Sequence, residues 1–405
     1  KVNLIYEDAL CTEAYFRLKT TEINYPARVD LYLNKNKVNC FTTFSDDTVF
    51  VIENLLPKKN YTSYVRVYPE GGREIVSSEV SFVTMDTTSH NFTWQVFEFG
   101  NCGNSVLFDV AIIDENNIWA VGEIYMRDSL GRCDPNAYNA VHWDGNKWEL
   151  KKIGNQGGWV CKTVFAFSAT DIWFEGNIHW DGSSYKVYKN GWPLMPNGDG
   201  WRVNKLWGTS SNDLYAVGDY GNIAHWDGRR WTKIESGTDV DFNSIASGLN
   251  NEEVFVSGSS RNNSYHVLLK VNKDKRVEVQ PPPQGKEGIY YVASANNVLF
   301  GDEISSGIYK RNLKYSNSYK FISRMDYKTY GMKADAYNNL FVVTSFSKIF
   351  HFNGMNLMSL NHPLSSVLAE LRSVDVKNDL VVVVGDRIQN MFSGTAIVLI
   401  GKRNK

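Results

Sequence analysis

Apolar and polar positions alternate in short runs along this chain, and the 3.6-residue spacing of an amphipathic helix is missing. The clearest stretch is residues 213–231, DLYAVGDYGNIAHWDGRRW. Residues 214–217 alternate as a strand, 218–221 make a tight turn, and 222–226 form a second strand. Asp227-Gly228 reads as a type I′ hairpin turn, after which Trp231 opens a third strand. The same text recurs as NIWAVG and HWDGNKW within residues 117–148, and as DIWFEGNIHWDG from Asp171.

Aligned on the residue before the second strand, the copies fall at Asn117, Asp171, Asp213, Glu253, Asn297, Asn339 and Asp379. Their spacing is mostly about 40–44 residues, the period of a four-stranded propeller blade. A β-helix needs a far shorter period. Seven copies predict seven blades. The last copy has strands at 372–376, 380–384 and 395–400 but no fourth. Residues 92–99, FTWQVFEF, supply it, because Trp94 matches Trp148 and Trp231 at the start of a fourth strand. Such an exchange closes the ring and removes its open edges. The predicted propeller occupies residues 89–405.

Residues 1–88 carry a different pattern, with alternating runs at 14–18, 28–33, 49–52, 64–68 and 80–83 separated by polar turns. This predicts a β-sandwich. Leu55-Leu56-Pro57-Lys58-Lys59-Asn60-Tyr61 is similar to the tyrosine corner of fibronectin type III domains, and Ser77–Thr84 resembles their last strand. The usual core Trp is absent, so Tyr15 or Phe16 has to fill its place. The resemblance implies a spacer or adhesion module. The fold class expected for the whole chain is therefore all-β: an Ig-like, fibronectin type III sandwich, then a seven-bladed β-propeller closed by an N-terminal strand.

The blades, reading AVG…G…HWDG..W, resemble bacterial propellers of the BNR or Asp-box-like kind. The Gly-His of WD40 repeats is absent. So are the full Asp box and the Arg triad of sialidases, so no catalytic residue carries over from that likeness. His142, His179, His225 and His351 share one repeat position. Equivalent residues of different blades lie apart around a ring, which predicts a structural role for them. Trp143, Trp148, Trp180, Trp226 and Trp231 read as wedges between blades.

Composition narrows the function. Lys plus Arg number 43 and Asp plus Glu 44, so no basic surface for nucleic acid is implied. No apolar run is long enough for a transmembrane helix. The chain opens at Lys1 without a signal segment, as a processed product would, and an extracellular, cell-surface or periplasmic location is expected. Of five cysteines, Cys11 and Cys40 share the first domain, while Cys102, Cys133 and Cys161 cluster around the first repeat. None forms a CxxC pair, so neither a metal nor another cofactor is predicted. No GxSxG, HExxH, P-loop or GxGxxG before a helix occurs.

Irregular residues concentrate on one propeller face, where the turns between second and third strands meet the links between blades. They include an insertion at 125–139, the link 190–201 and Pro281–Pro283. Trp159, Trp192, Trp201, Tyr125 and Tyr138 are candidate ligand-binding aromatics there, suited to sugar rings. Glu123, Asp219, Asp302 and Asp386 each follow the end of a second strand, as an acidic ring or as turn caps. The expected function is a non-enzymatic binding protein whose propeller face takes a protein or polysaccharide partner. The alternatives are a carbohydrate-active propeller, lectin or glycosidase-like, and a structural subunit of an extracellular assembly. Oligomeric state and disulfide pairing stay open.

Overall fold

The computed structural model describes residues 1–155, 159–193, 201–262, 264–303, 307–390 and 393–404. The chain divides into two compact units. One is residues 1–88 with 353–356, the other residues 89–352 with 357–405. Regular structure among the described residues is β-strand, apart from 3-10 turns at Ile153–Asn155 and Leu249–Asn251 of the second unit. No helix among the described residues is long and apolar enough to cross a membrane.

In the first unit, strands Val2–Ala9, Ala14–Thr20 and Asp47–Ile52 form one antiparallel sheet. Asn36–Thr43, Ala27–Leu33, Asn60–Pro69, Ile75–Val76 and Val80–Val83 form the second. Inward residues of both sheets, among them Leu18, Val29, Leu31, Val65 and Val67, share one core. Phe16 takes the central aromatic position, fully buried against Phe50 and Phe82. The Tyr61 hydroxyl accepts a hydrogen bond from the Leu56 N–H at 2.9 Å, which is the tyrosine corner anticipated from the sequence. Cys11 and Cys40 do not pair. Cys11 is buried with its Sγ 3.2 Å from the Asp86 carbonyl, whereas Cys40 stands on the exposed edge strand.

The second unit is a ring of seven four-stranded antiparallel sheets. Blades 1 to 6 run 106–151, 164–187, 203–235, 241–279, 291–323 and 329–360. Blade 7 takes its first three strands from 369–403 and its fourth from Phe92–Phe99, in register from Ala396↔Phe99 to Arg403↔Phe92. Apolar residues on facing sheets merge at the seams. Phe97 and Phe99 of the closing strand meet Trp143 and Trp148 of blade 1. Trp173 of blade 2 packs with Trp226 and Trp231 of blade 3.

The repeated histidines clasp each blade internally. Nε2 of His142, His179, His225 and His351 bonds Asn117, Asp171, Asp213 and Asn339, at 2.9, 2.9, 2.7 and 3.2 Å. Each imidazole also lies on the aromatic ring opposite it across the strand pair: Trp119, Trp173, Tyr215 or Phe341. Burial pulls the pKa of His351 down to about 2, so it is neutral at any physiological pH. Blade 4 keeps the same geometry with an ion pair, Lys270 to Glu253 at 3.6 Å. In blade 7 the position is Gly401, and a Cβ there would lie 2.7 Å from the Trp94 ring that covers it.

One turn assignment needs correction. At the Asp-Gly turns only the glycine has positive φ (+93° at Gly145 and Gly182, +89° at Gly228), where a type I′ turn needs two such residues. The aspartate side chain makes up the difference: Asp227 Oδ1 accepts the N–H groups of Arg229 and Arg230 at 2.9 Å. The type I′ geometry occurs instead at Tyr220-Gly221, with φ of +62° and +71°.

A chain beginning at residue 100 loses the closing strand and leaves Ser393–Arg403 with an unpaired edge. We expect it to self-associate in light scattering while the intact chain does not. A monodisperse, fully folded truncation would contradict the closure.

Candidate functional site

Each innermost strand begins on the face that carries the links and the second-to-third-strand turns. Five of the seven bulge there. Pairing with the second strand skips one residue, namely Phe108 in blade 1, Asn204 in blade 3, Asn243 in blade 4, Tyr330 in blade 6 and Arg372 in blade 7. A bulge re-aims the extra side chain. All five skipped residues line one cavity of about 250 Å³ at the mouth of the central channel. Lys162, just before the first strand of blade 2, and Tyr291, at the start of that of blade 5, complete the ring.

The repeat's AVG glycine belongs to the same device. The bulge swings a first-strand carbonyl against the end of the second strand. A Cβ on Gly122, Gly218, Gly258 or Gly385 would come within 2.0, 1.9, 2.3 or 1.9 Å of the carbonyl oxygens of Val106, Arg202, Asp241 and Glu370. Only glycine permits that approach.

A charged bridge crosses the channel at this cavity. The Asp109 carboxylate, 2% exposed, accepts Lys205 Nζ at 2.6 Å and Ser373 Oγ at 2.7 Å. It also accepts Thr163 Oγ1 at 2.9 Å and the Val164 N–H at 3.2 Å. Residues from blades 1, 2, 3 and 7 thus meet on one carboxylate, and its charge is met by Lys205. Arg372 is likewise matched, by Glu370 at 2.5 Å and Asp386 at 3.0 Å. Lys162 has no carboxylate within 4 Å among the described residues. Its ammonium lies 5.5 Å from the Phe108 ring, and burial, with Arg202 nearby, lowers its pKa. Glu175 accepts the Lys162 backbone N–H, and burial pushes its pKa up to about 7.

The four acidic candidates stand on blades 1, 3, 5 and 7, each with its own surroundings. Glu123 accepts the Tyr125 hydroxyl at 3.0 Å. Asp219 accepts Asn204 Nδ2 at 2.8 Å and has Arg202 at 4.0 Å. Asp386 pairs with Arg372, and burial raises its pKa. Asp302 is 1% exposed, neither of its oxygens has a hydrogen-bond partner among the described residues, and burial pushes its pKa up to about 7.

Of the aromatic candidates, Trp192 and Trp201 lie together, ring centroids 5.4 Å apart, in the seam of blades 2 and 3. Trp201 is 4% exposed. Trp159 packs into the seam of blades 1 and 2. Tyr138, with Lys152 4.9 Å from its ring, belongs to the seam of blades 7 and 1. Residues 194–200 of the predicted link lie outside the described residues. The insertion at 125–139 is tied down by a disulfide, Cys102–Cys133, while Cys161 is a buried thiol. Among the described residues no group of three or more His, Cys, Asp or Glu side chains is placed to hold a metal ion.

The bulged positions escaped sequence reasoning because only blades 3 and 4 share a residue type there, Asn204 and Asn243, while blades 1, 6 and 7 carry Phe, Tyr and Arg. The recurring glycine on the neighbouring strand was the legible trace of them.

No family model and no curated protein matches the chain. Solved structures match its fold. One is described as YCF48 bound to D1 peptide, with 13% identity and a TM-score of 0.56, covering 77% of this chain and 95% of that one. YCF48 from Cyanidioschyzon merolae gives 13% and 0.51, covering 76% and 98%. The WD40 β-propeller domain of Doa1 gives 10% and 0.52, covering 77% and 98%. At such identities the likeness is one of fold: the chain carries a β-propeller.

Two outcomes test this geometry. Gly218→Ala pushes a Cβ into the Arg202 carbonyl, and we expect it to lower the melting temperature and to remove protection of the Asn204 and Lys205 amides in hydrogen exchange. Asp302 and Glu175 have folded-state pKa values above their unfolded ones. Their protonated forms favour the fold, and stability drawn from them falls as pH rises from about 4 through 7. Asp302→Asn should therefore raise the melting temperature at pH 8 and change it little at pH 4. An equal shift at both values would contradict the burial of an uncompensated carboxyl.

Proposed function

We propose that this chain is a binding protein, without chemistry of its own, that takes a protein partner over the channel mouth. The observation that carries this reading is the repeated bulge, which turns one side chain from five blades toward one shared cavity. Bulges concentrate where a side chain has to be re-aimed, next to functional sites. The surrounding face supports a protein ligand. Phe346, Leu368 and Ile388 are 67, 59 and 37% exposed on adjoining segments of blades 6 and 7. Ser347 Oγ bonds the Val367 carbonyl at 2.7 Å and the Ile388 N–H bonds the Leu368 carbonyl at 3.1 Å, which ties these segments together. Leu130, 72% exposed, stands on the disulfide-tied insertion of the same face. Exposed apolar groups beside a polar centre are the anatomy of a protein-binding surface.

That a propeller of this fold is known with a peptide bound is consistent with the reading. The polysaccharide alternative draws less support, because Trp201 is enclosed and Trp159 and Trp192 are engaged in seams. The BNR or Asp-box-like likeness remains one of blade text and adds no residue to the site. The Cys102–Cys133 disulfide favours an extracellular or periplasmic location.

The test is selection of peptides from a random display library against the immobilised full chain. Phe346→Asp and Tyr330→Ala should each weaken the selected peptides about tenfold or more, a loss of about 1.4 kcal/mol, in fluorescence anisotropy. Met358→Asp, on the outermost strand of blade 6, should leave affinity unchanged. Peptides indifferent to both Phe346→Asp and Tyr330→Ala would place the binding surface elsewhere.

A further inference from the structure

We infer that the channel mouth recognises a carboxylate of its partner, with Lys162 as the counter-ion. The inference deepens the reading above and rests on it. The cavity is lined by three cationic side chains, Lys162, Lys205 and Arg372, against one carboxylate, Asp109. Two of the cations are already matched. Lys205 lies on Asp109, and Arg372 lies between Glu370 and Asp386. Lys162 is left over. Glu175 turns its Oε1 to the backbone N–H groups of Lys162 and Thr163 and makes no ion pair with the ammonium. Asp219 is engaged by Asn204 and Arg202.

A half-buried ammonium with no ion pair within 4 Å among the described residues is costly in the free protein and gains most from an anion that arrives with a ligand. One ammonium without an ion-pair partner suits a single negative charge, which fits a carboxylate better than a phosphate dianion. Of the two amides beside it, only Asn243 keeps an N–H, among the described residues, to offer a carboxylate oxygen. Asn204 spends its amide nitrogen on Asp219 and on the Phe242 carbonyl, and Asn243 spends its own on the Asp241 carbonyl. At about 250 Å³ the space is below the usual range for drug-sized ligands, about 300–1,000 Å³, and suits one acidic residue or one chain end.

The experiment follows Lys162 itself. Lysines of the full chain are 13C-dimethylated, and the Lys162 signal is assigned by its loss in Lys162→Arg. The chain is titrated with N-acetyl-glutamate α-amide (a side-chain carboxylate), N-acetyl-glycine (a chain-end carboxylate) and N-acetyl-glutamine α-amide (neither). The two carboxylates should shift the signal saturably and raise the Lys162 pKa, and the neutral amide should do neither. The tighter of the two carboxylates identifies the source. Equal response to all three, or no saturable response to either carboxylate, overturns the inference.

In parallel, the selected peptides are measured on Lys162→Met, which should lose affinity about tenfold for acidic peptides and none for their Asn or Gln counterparts. Its melting temperature should equal or exceed that of the wild type, whereas a purely structural lysine would lower it. Peptides that bind the face yet ignore Lys162→Met sink the carboxylate and leave the face. Carboxylates that titrate Lys162 when no peptide binds leave the carboxylate and sink the protein partner.

Discussion

Everything in the second unit depends on one ladder, the pairing of Phe92–Phe99 with Ser393–Arg403. Each blade buries its apolar faces only against its two neighbours, so an open ring leaves two seams' worth of apolar surface in water and one unpaired strand edge. The closing strand settles both at once. Its backbone completes the sheet of blade 7, while Phe97 and Phe99 reach the tryptophans of blade 1. Trp94 does a third task, covering Gly401 where other blades carry a histidine, lysine or arginine.

Closure fixes the innermost strands around a shared axis, and only then does a bulge in each acquire a common target. A single bulged strand would simply bend. Five around a ring turn five side chains of four kinds toward one cavity, and the Asp109–Lys205–Ser373 bridge locks opposite sides of the channel across it. The histidine clasps act further out, pinning the third strand of a blade to the start of its second, and their repetition reflects that local duty.

The sequence made the scaffold legible and hid the site, for a physical reason. Period, turn glycines and wedge tryptophans are properties of every blade, so repetition amplifies them. Ligand contacts are properties of the assembled ring, where each blade contributes a different residue. Thus His225 and Trp231 were readable as structure, whereas Lys162, Asn204 and Arg372 carried no pattern. The sandwich shows a similar limit. Strand Asn36–Thr43 is exposed on nearly every residue, so alternation had nothing to mark. Asp302 was noticed for its place at the end of a second strand, but only the fold shows that its carboxyl is enclosed without a hydrogen-bond partner among the described residues.

The closing strand also sets a timetable for biosynthesis. Phe92–Phe99 leaves the ribosome about three hundred residues before its partner strand does. At translation rates of about 5–20 residues per second, that is a wait of roughly 15–60 seconds. During it a half-built ring holds an apolar strand with no mate, while blades 1 to 6 emerge one after another. Nascent-chain chaperones would meet this chain at its most adhesive over that interval, and a pause introduced anywhere between the two strands would prolong the exposure, whereas one ahead of Phe92 would not.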